Sequence, residues 1–192
     1  MRKNSRLIKE MAGIAILGAL VAVTQLFIYI PVGEFTITFA LVPIVVAAII
    51  YGPKGGAFCG FVMGLIVLLT NATLFLSINP TATVFACLLK SGCAGLLVGY
   101  FYKWIKNKTL GCYIGSIAAP LINTGIFTLF CFAFFAKGVE QELGISIWYF
   151  MGVSVIPNFL IELGVSIILA PVVVKIINML KIRLNKNKNI EN

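Results

Sequence analysis

Long stretches of this chain contain no charge at all, and that limits what it can fold into more than any motif does. No charged residue occurs between Glu10 and Glu34, between Lys54 and Lys90, between Lys108 and Lys137, or between Glu142 and Glu162. Most of what fills those gaps is apolar: 60% of the 192 residues are hydrophobic, only 11% are charged, and the mean hydropathy is +1.06. Soluble domains are nearer a quarter charged. A domain of this length leaves too much surface in water to hide so much apolar area. Lipid is the solvent that fits, and the expected fold is an all-α integral membrane protein forming a single membrane domain over 1–192.

Six transmembrane helices are predicted, at about 10–31, 36–51, 56–70, 81–103, 110–135 and 146–178. Basic residues give the orientation. Arg2, Lys3, Arg6 and Lys9 precede the first span, Lys103, Lys106 and Lys108 follow the fourth, and Lys175, Lys181, Arg183, Lys186 and Lys188 close or follow the last. With both termini cytoplasmic, all 15 basic residues except Lys90 and Lys137 fall inside, and Glu34, Glu140 and Glu142 fall outside. Spans two and three are short for a crossing of about 20 residues, and the last is long. The stretch Asn71–Pro80 reads as a loop packed over the outer mouth of a cavity. The N-terminal basic-then-apolar pattern is read as an uncleaved helix, because the run is long and no small-residue cleavage site follows it.

Several function classes drop out. The chain has no histidine, and all six acidic residues are glutamates. Zinc sites of the HExxH kind, Ser-His-Asp triads and aspartyl dyads are therefore absent, and no GxxxxGK[ST] phosphate loop occurs. Cys59, Cys87, Cys93, Cys112 and Cys131 form no CxxC pair, so they read as small core residues with no metal site. The net charge of +9 sits beside hydrophobic spans, where it suits anionic headgroups better than nucleic acid. No enzyme and no cofactor is expected.

The informative residues are polar ones inside the membrane. Lys90 lies in the fourth span and Glu162 in the sixth, where a charge costs about 3 kcal/mol on insertion scales. Both should face the protein interior, paired with each other or offered to a polar ligand. Asn158 precedes Glu162 by one helical turn on the same face. Asn123 and Thr124 form a polar pair in span five, and Gln25 and Tyr29 an i,i+4 pair near the outer end of span one. Together they suggest a solute pocket open to the outside, with Lys90 as a partner for a ligand carboxylate. Hydrogen bonding between helices accounts for Asn123 and Thr124 equally well, and Gln25 and Tyr29 suit the membrane interface. Phe75, Trp148 and Tyr149 are candidate wall residues or, as readily, interfacial anchors.

Span one also carries small residues at Ala12, Ala15, Gly18, Ala19 and Ala22. Ala15-xxx-Ala19 is a spacing that lets two helices approach closely in lipid. The partner is either another helix of this chain or a separate membrane subunit.

These features together resemble a substrate-binding S-component of an energy-coupling factor (ECF) vitamin transporter. The residues that carry the resemblance are Ala15-xxx-Ala19 and the stretch LVPIVVAAIIYGPKGGAFCGFVMGL from Leu41 to Leu65. Within that family the chain most resembles the pantothenate-type members. That likeness rests on GPKGG at 52–56, Asn79-Pro80, the basic residue Lys90, Asn123-Thr124 and Asn158-xxx-Glu162. Lysine stands where the pattern leads one to expect arginine, a point charge in place of a bidentate fork.

The resemblance implies a subunit in a bacterial cell membrane that captures a scarce water-soluble vitamin from outside. Gln25, Asn79, Lys90, Asn123, Trp148, Asn158 and Glu162 would be its substrate-binding residues. A transmembrane T-component, docked on Ala15 and Ala19, and two cytoplasmic ATPases would supply the energy while the S-component topples in the membrane. Riboflavin or another vitamin remains open as the substrate. So does a self-sufficient channel or secondary carrier, although the halves 1–96 and 97–192 show no internal repeat. An intramembrane serine–lysine enzyme around Lys90-Ser91 fits poorly, since adjacent helical residues point about 100° apart.

Overall fold

A computed structural model describes the backbone of residues 2–32 and 35–190 and the side chains of 7–28 and 39–179. Glu34 therefore lies outside the described residues, as do the side chains of Arg2, Lys3, Arg6, Tyr29, Lys181, Arg183, Lys186 and Lys188.

The described residues are helical apart from one short hairpin and the turns between helices. Helix α1 (Arg2–Phe27) leads into strands β1 (Tyr29–Val32) and β2 (Phe35–Thr38), paired antiparallel with Tyr29 opposite Thr38. Then come α2 (Leu41–Ile50), α3 (Pro53–Thr70), α4 (Thr73–Ile78), α5 (Pro80–Trp104) and α6 (Lys108–Phe130). A π-helical turn, Cys131–Phe135, carries α6 on into α7 (Ala136–Leu143). After Gly144, whose left-handed backbone (φ 66°) ends α7, a second π-turn (Met151–Val155) joins α8 (Ile147–Phe150) to α9 (Ile156–Ile190). Such turns widen a helix locally and often accompany functional sites.

Five helical stretches are long and apolar enough to cross a membrane: Leu7–Phe27, Pro53–Thr70, Pro80–Trp104, Lys108–Leu143 and Ile147–Met179. They correspond to the first and the third to sixth predicted spans. The second differs. Residues 36–38 of that segment belong to the hairpin, and only the 10 residues of α2 are helical. At 1.5 Å per residue α2 measures about 15 Å, half a hydrocarbon core. Its composition explains its position. LVPIVVAAII is apolar on every face, and a helix of that kind belongs inside the protein. Leu41 and every residue from Pro43 to Ile49 are buried. The helix stops where Gly52 adopts φ 82°, open chiefly to glycine, and Pro53 starts α3 at a position that suits its fixed φ.

Helices α3 and α5 meet backbone to backbone. Gly56, Gly60 and Gly64 recur every four residues on α3 and face Gly95, Ser91 and Cys87 of α5. A Cβ on Gly60 would collide with the Ser91 carbonyl oxygen, and one on Gly64 with that of Cys87. Where lipid removes the hydrophobic drive for helix association, contact this close is what holds helices together. It also fixes α5, and with it Lys90, against the rest of the bundle.

Two apolar clusters fill the interior. One surrounds α2 and includes Val21, Ile44, Met63, Val98, Val173 and Ile177. The other lies toward the end that carries α4, α7 and α8, and centres on Phe75, Phe127, Phe135 and Phe150. Phe75 packs edge-on against Phe127 at 5.3 Å and contacts Phe135 at 5.1 Å. The stretch after α3, expected as a loop over a cavity mouth, is thus a short helix pinned by one buried aromatic ring.

Candidate functional site

Between the two clusters lies a cavity with an empty volume of about 660 Å³, including the space that continues through its mouth. Like small-molecule sites, it combines apolar walls with a few convergent polar groups. Met63, Val67 and Ala72 wall it on one side; Phe75, Phe127 and Val155 come from the aromatic cluster or its edge. Its polar lining is contributed by α1, α5, α6 and α9, with Asn71 at the end of α3.

Five of the seven predicted substrate residues line this one cavity: Gln25, Lys90, Asn123, Asn158 and Glu162, with Thr124 beside Asn123. Gln25 is 2% exposed and Glu162 5%, so both belong to the protein interior. The Lys90 ammonium lies over the Phe127 ring, 4.9 Å from its centroid. Such contacts gain strength when desolvated. No Lys90–Glu162 ion pair forms among the described residues, and Glu162 Oε2 is buried with no hydrogen-bond partner. The charge of Lys90 still reaches the Glu162 carboxyl through space.

Asn123 bonds between helices and also faces the cavity. Its Oδ1 accepts a 3.3 Å hydrogen bond from Ser91, tying α6 to α5, while the residue also lines the cavity. That bond turns the Ser91 hydroxyl toward Asn123, away from any pairing with Lys90.

Asn79 and Trp148 do not reach the cavity. Asn79 precedes a proline, which holds it in extended backbone (φ −154°, ψ 94°), and its Oδ1 accepts from the Ala82 amide as the N-cap of α5. Trp148 is 74% exposed. Ile147 and Phe150 fill the inward positions of α8, so helical spacing turns Trp148 and Tyr149 outward. Trp148 packs instead on Phe132 at 5.0 Å.

Sequence reading missed several lining residues, among them Cys87, Phe127, Val155 and Asn71. The first three were within reach. Cys87 precedes Lys90 by three residues, Phe127 follows Asn123 by four, and Val155 precedes Asn158 by three; all are positions that share a helix face.

On α1, the face bearing Ala12, Ala15 and Ala19 is exposed, whereas Gly18 turns inward against Phe58. The small residues therefore split. Gly18 serves this chain's own packing, and Ala15 and Ala19 have no neighbour tight enough to bury them.

Residues 9–174 match the family described as ECF transporter, substrate-specific component. The chain is also 30% identical to a protein named pantothenic acid transporter PanT from Lactococcus lactis subsp. cremoris (strain MG1363), an alignment covering 86% of this chain and 91% of that relative.

Proposed function

The chain belongs to the substrate-specific components of ECF transporters, and from that premise we propose that it captures pantothenate from outside the cell for ATP-driven uptake. The observation that carries this reading is the single cavity in which Lys90, the one cation among its lining residues, meets Gln25, Asn123, Asn158 and Glu162. Pantothenate is a small carboxylate bearing hydroxyl and amide groups. Lys90 supplies the positive charge for the carboxylate, and the apolar wall from Met63 to Phe127 suits the aliphatic body. The PanT relative supports the same choice of vitamin.

In this reading both termini are cytoplasmic, and α2 with its hairpin makes up the sixth, internal segment. The cavity then sits in the outer half, beneath α4. The sequence contains no phosphate loop, so energy comes from partners: a transmembrane T-component and two cytoplasmic ATPases. The exposed Ala15–Ala19 face of α1 is where the T-component docks.

The direct test is mass spectrometry of the small molecule that travels with the purified chain, followed by calorimetric titration with pantothenate. Recovery of a different vitamin, with no heat from pantothenate, would replace the substrate. Transport by the chain alone in liposomes without any ATPase would replace the mechanism. The docking face has its own test. Replacing Ala15 and Ala19 together by leucine should weaken assembly with the T-component about tenfold or more. Ligand affinity should be unchanged, because neither side chain lines the cavity. Normal uptake by that double variant would move the docking face elsewhere.

A further inference from the structure

Three side-chain oxygens, Gln25 Oε1, Asn158 Oδ1 and Glu162 Oε2, are buried without a hydrogen-bond partner among the described residues. Folded proteins leave few such groups, since an unpaired buried acceptor forfeits its hydration and gains nothing in return. Here the three converge. All of their residues line the same cavity, Gln25 from α1 and the other two from successive turns of α9. Lys90 does not quench them, because its ammonium rests on the Phe127 ring.

We infer that Gln25, Asn158 and Glu162 are the specificity filter of the site: they demand hydroxyl or amide N–H donors from the ligand. The inference rests on reading the cavity as the substrate site, and it adds a polarity to that site. Lys90 offers a cation and takes an anionic group. The three oxygens offer acceptors and take donors. Glu162 sets the direction, because a ligand carboxylate placed against it would bring two like-charged groups together. Apolar molecules of the right size are rejected, since they would seal three acceptors away from water with nothing to bond them. A compact acid without donors is rejected for the same reason.

Two arms test this, using the full-length chain. In the first, the purified protein is titrated with pantothenate and with an analogue in which both hydroxyls are replaced by hydrogen. The analogue should bind about 100-fold more weakly, the scale expected when a site built for hydrogen bonds meets a ligand that lacks them. Asn158→Leu should weaken pantothenate while leaving the analogue unchanged. Equal binding of both ligands by the unaltered chain would overturn the filter.

The second arm needs no ligand. Among the described residues Gln25 Oε1 and Asn158 Oδ1 have no hydrogen-bond partner, so Gln25→Leu and Asn158→Leu remove an orphaned oxygen without breaking a hydrogen bond to it. Both variants of the empty protein should melt at a higher temperature than the parent, the usual mark of a group kept for function at the expense of stability. A lower melting temperature for both would mean that these oxygens hold the bundle together, and the filter would be rejected. Because this arm involves no pantothenate, it still decides the question if the vitamin proves to be a different one.

Discussion

Gly60→Leu should markedly lower the thermal stability of the fold, although Gly60 lines no cavity. A Cβ at that position would collide with the Ser91 carbonyl oxygen and lie 2.9 Å from the Gly92 Cα. These are backbone atoms that cannot rotate away, so α3 and α5 must separate. Overpacking typically costs 1–3 kcal/mol where side chains can adjust, and about 3 kcal/mol or more is expected here, where they cannot. For a chain of this size that corresponds to a melting temperature lower by about 10 °C. The measurement is the fraction of monodisperse protein in detergent together with its thermal transition. Gly125→Ala is the control, since a Cβ there meets nothing within 4 Å. A folded Gly60→Leu with parental melting would show that the two helices are not in backbone contact. Separation would also move Ser91, break its bond to Asn123, and displace Lys90 from the cavity.

Lys90→Ala should fold and fail to bind. Lys90 forms no ion pair among the described residues and contacts Phe127 through its ammonium, so the fold loses one cation–π contact, about 1–2 kcal/mol. The ligand loses far more. Truncating one partner of a desolvated charge pair costs about 2–5 kcal/mol, so affinity for pantothenate should fall about 100-fold or more. Titration of the alcohol that replaces the vitamin's carboxylate provides the internal check. It should bind the parent weakly, and Lys90→Ala should weaken it little further. If Lys90→Ala retains full affinity for pantothenate, the carboxylate is held elsewhere.

The sequence was most legible where lipid makes a residue expensive. Lys90, Glu162 and Asn158 stood out because hydrocarbon offers them nothing, and the fold answers that cost by turning them all into one cavity. Exposed or terminal positions were less legible. Trp148 and Asn79 carry chemistry that suits a pocket, yet the same chemistry suits a membrane interface and a helix cap, and local geometry chose those instead. The α3–α5 seam went unread for another reason. Gly56-xxx-Gly60-xxx-Gly64 is plain in the sequence, but the spacing does not say which helix those glycines face. Apolar lining residues such as Phe127 and Val155 were hidden because an apolar residue in a membrane helix has no cost to betray it. The second span misled because hydropathy measures how apolar a segment is, and α2 is as apolar as any crossing helix.

Because α2 is sheathed on nearly every side, acyl chains meet only its neighbours. Hydrophobic matching between protein and bilayer is then governed by the five longer helices, at fractions of a kcal/mol per Å of mismatch. Lipids with shorter or longer tails can tilt or strain that outer ring, while the central strut is insulated from membrane thickness.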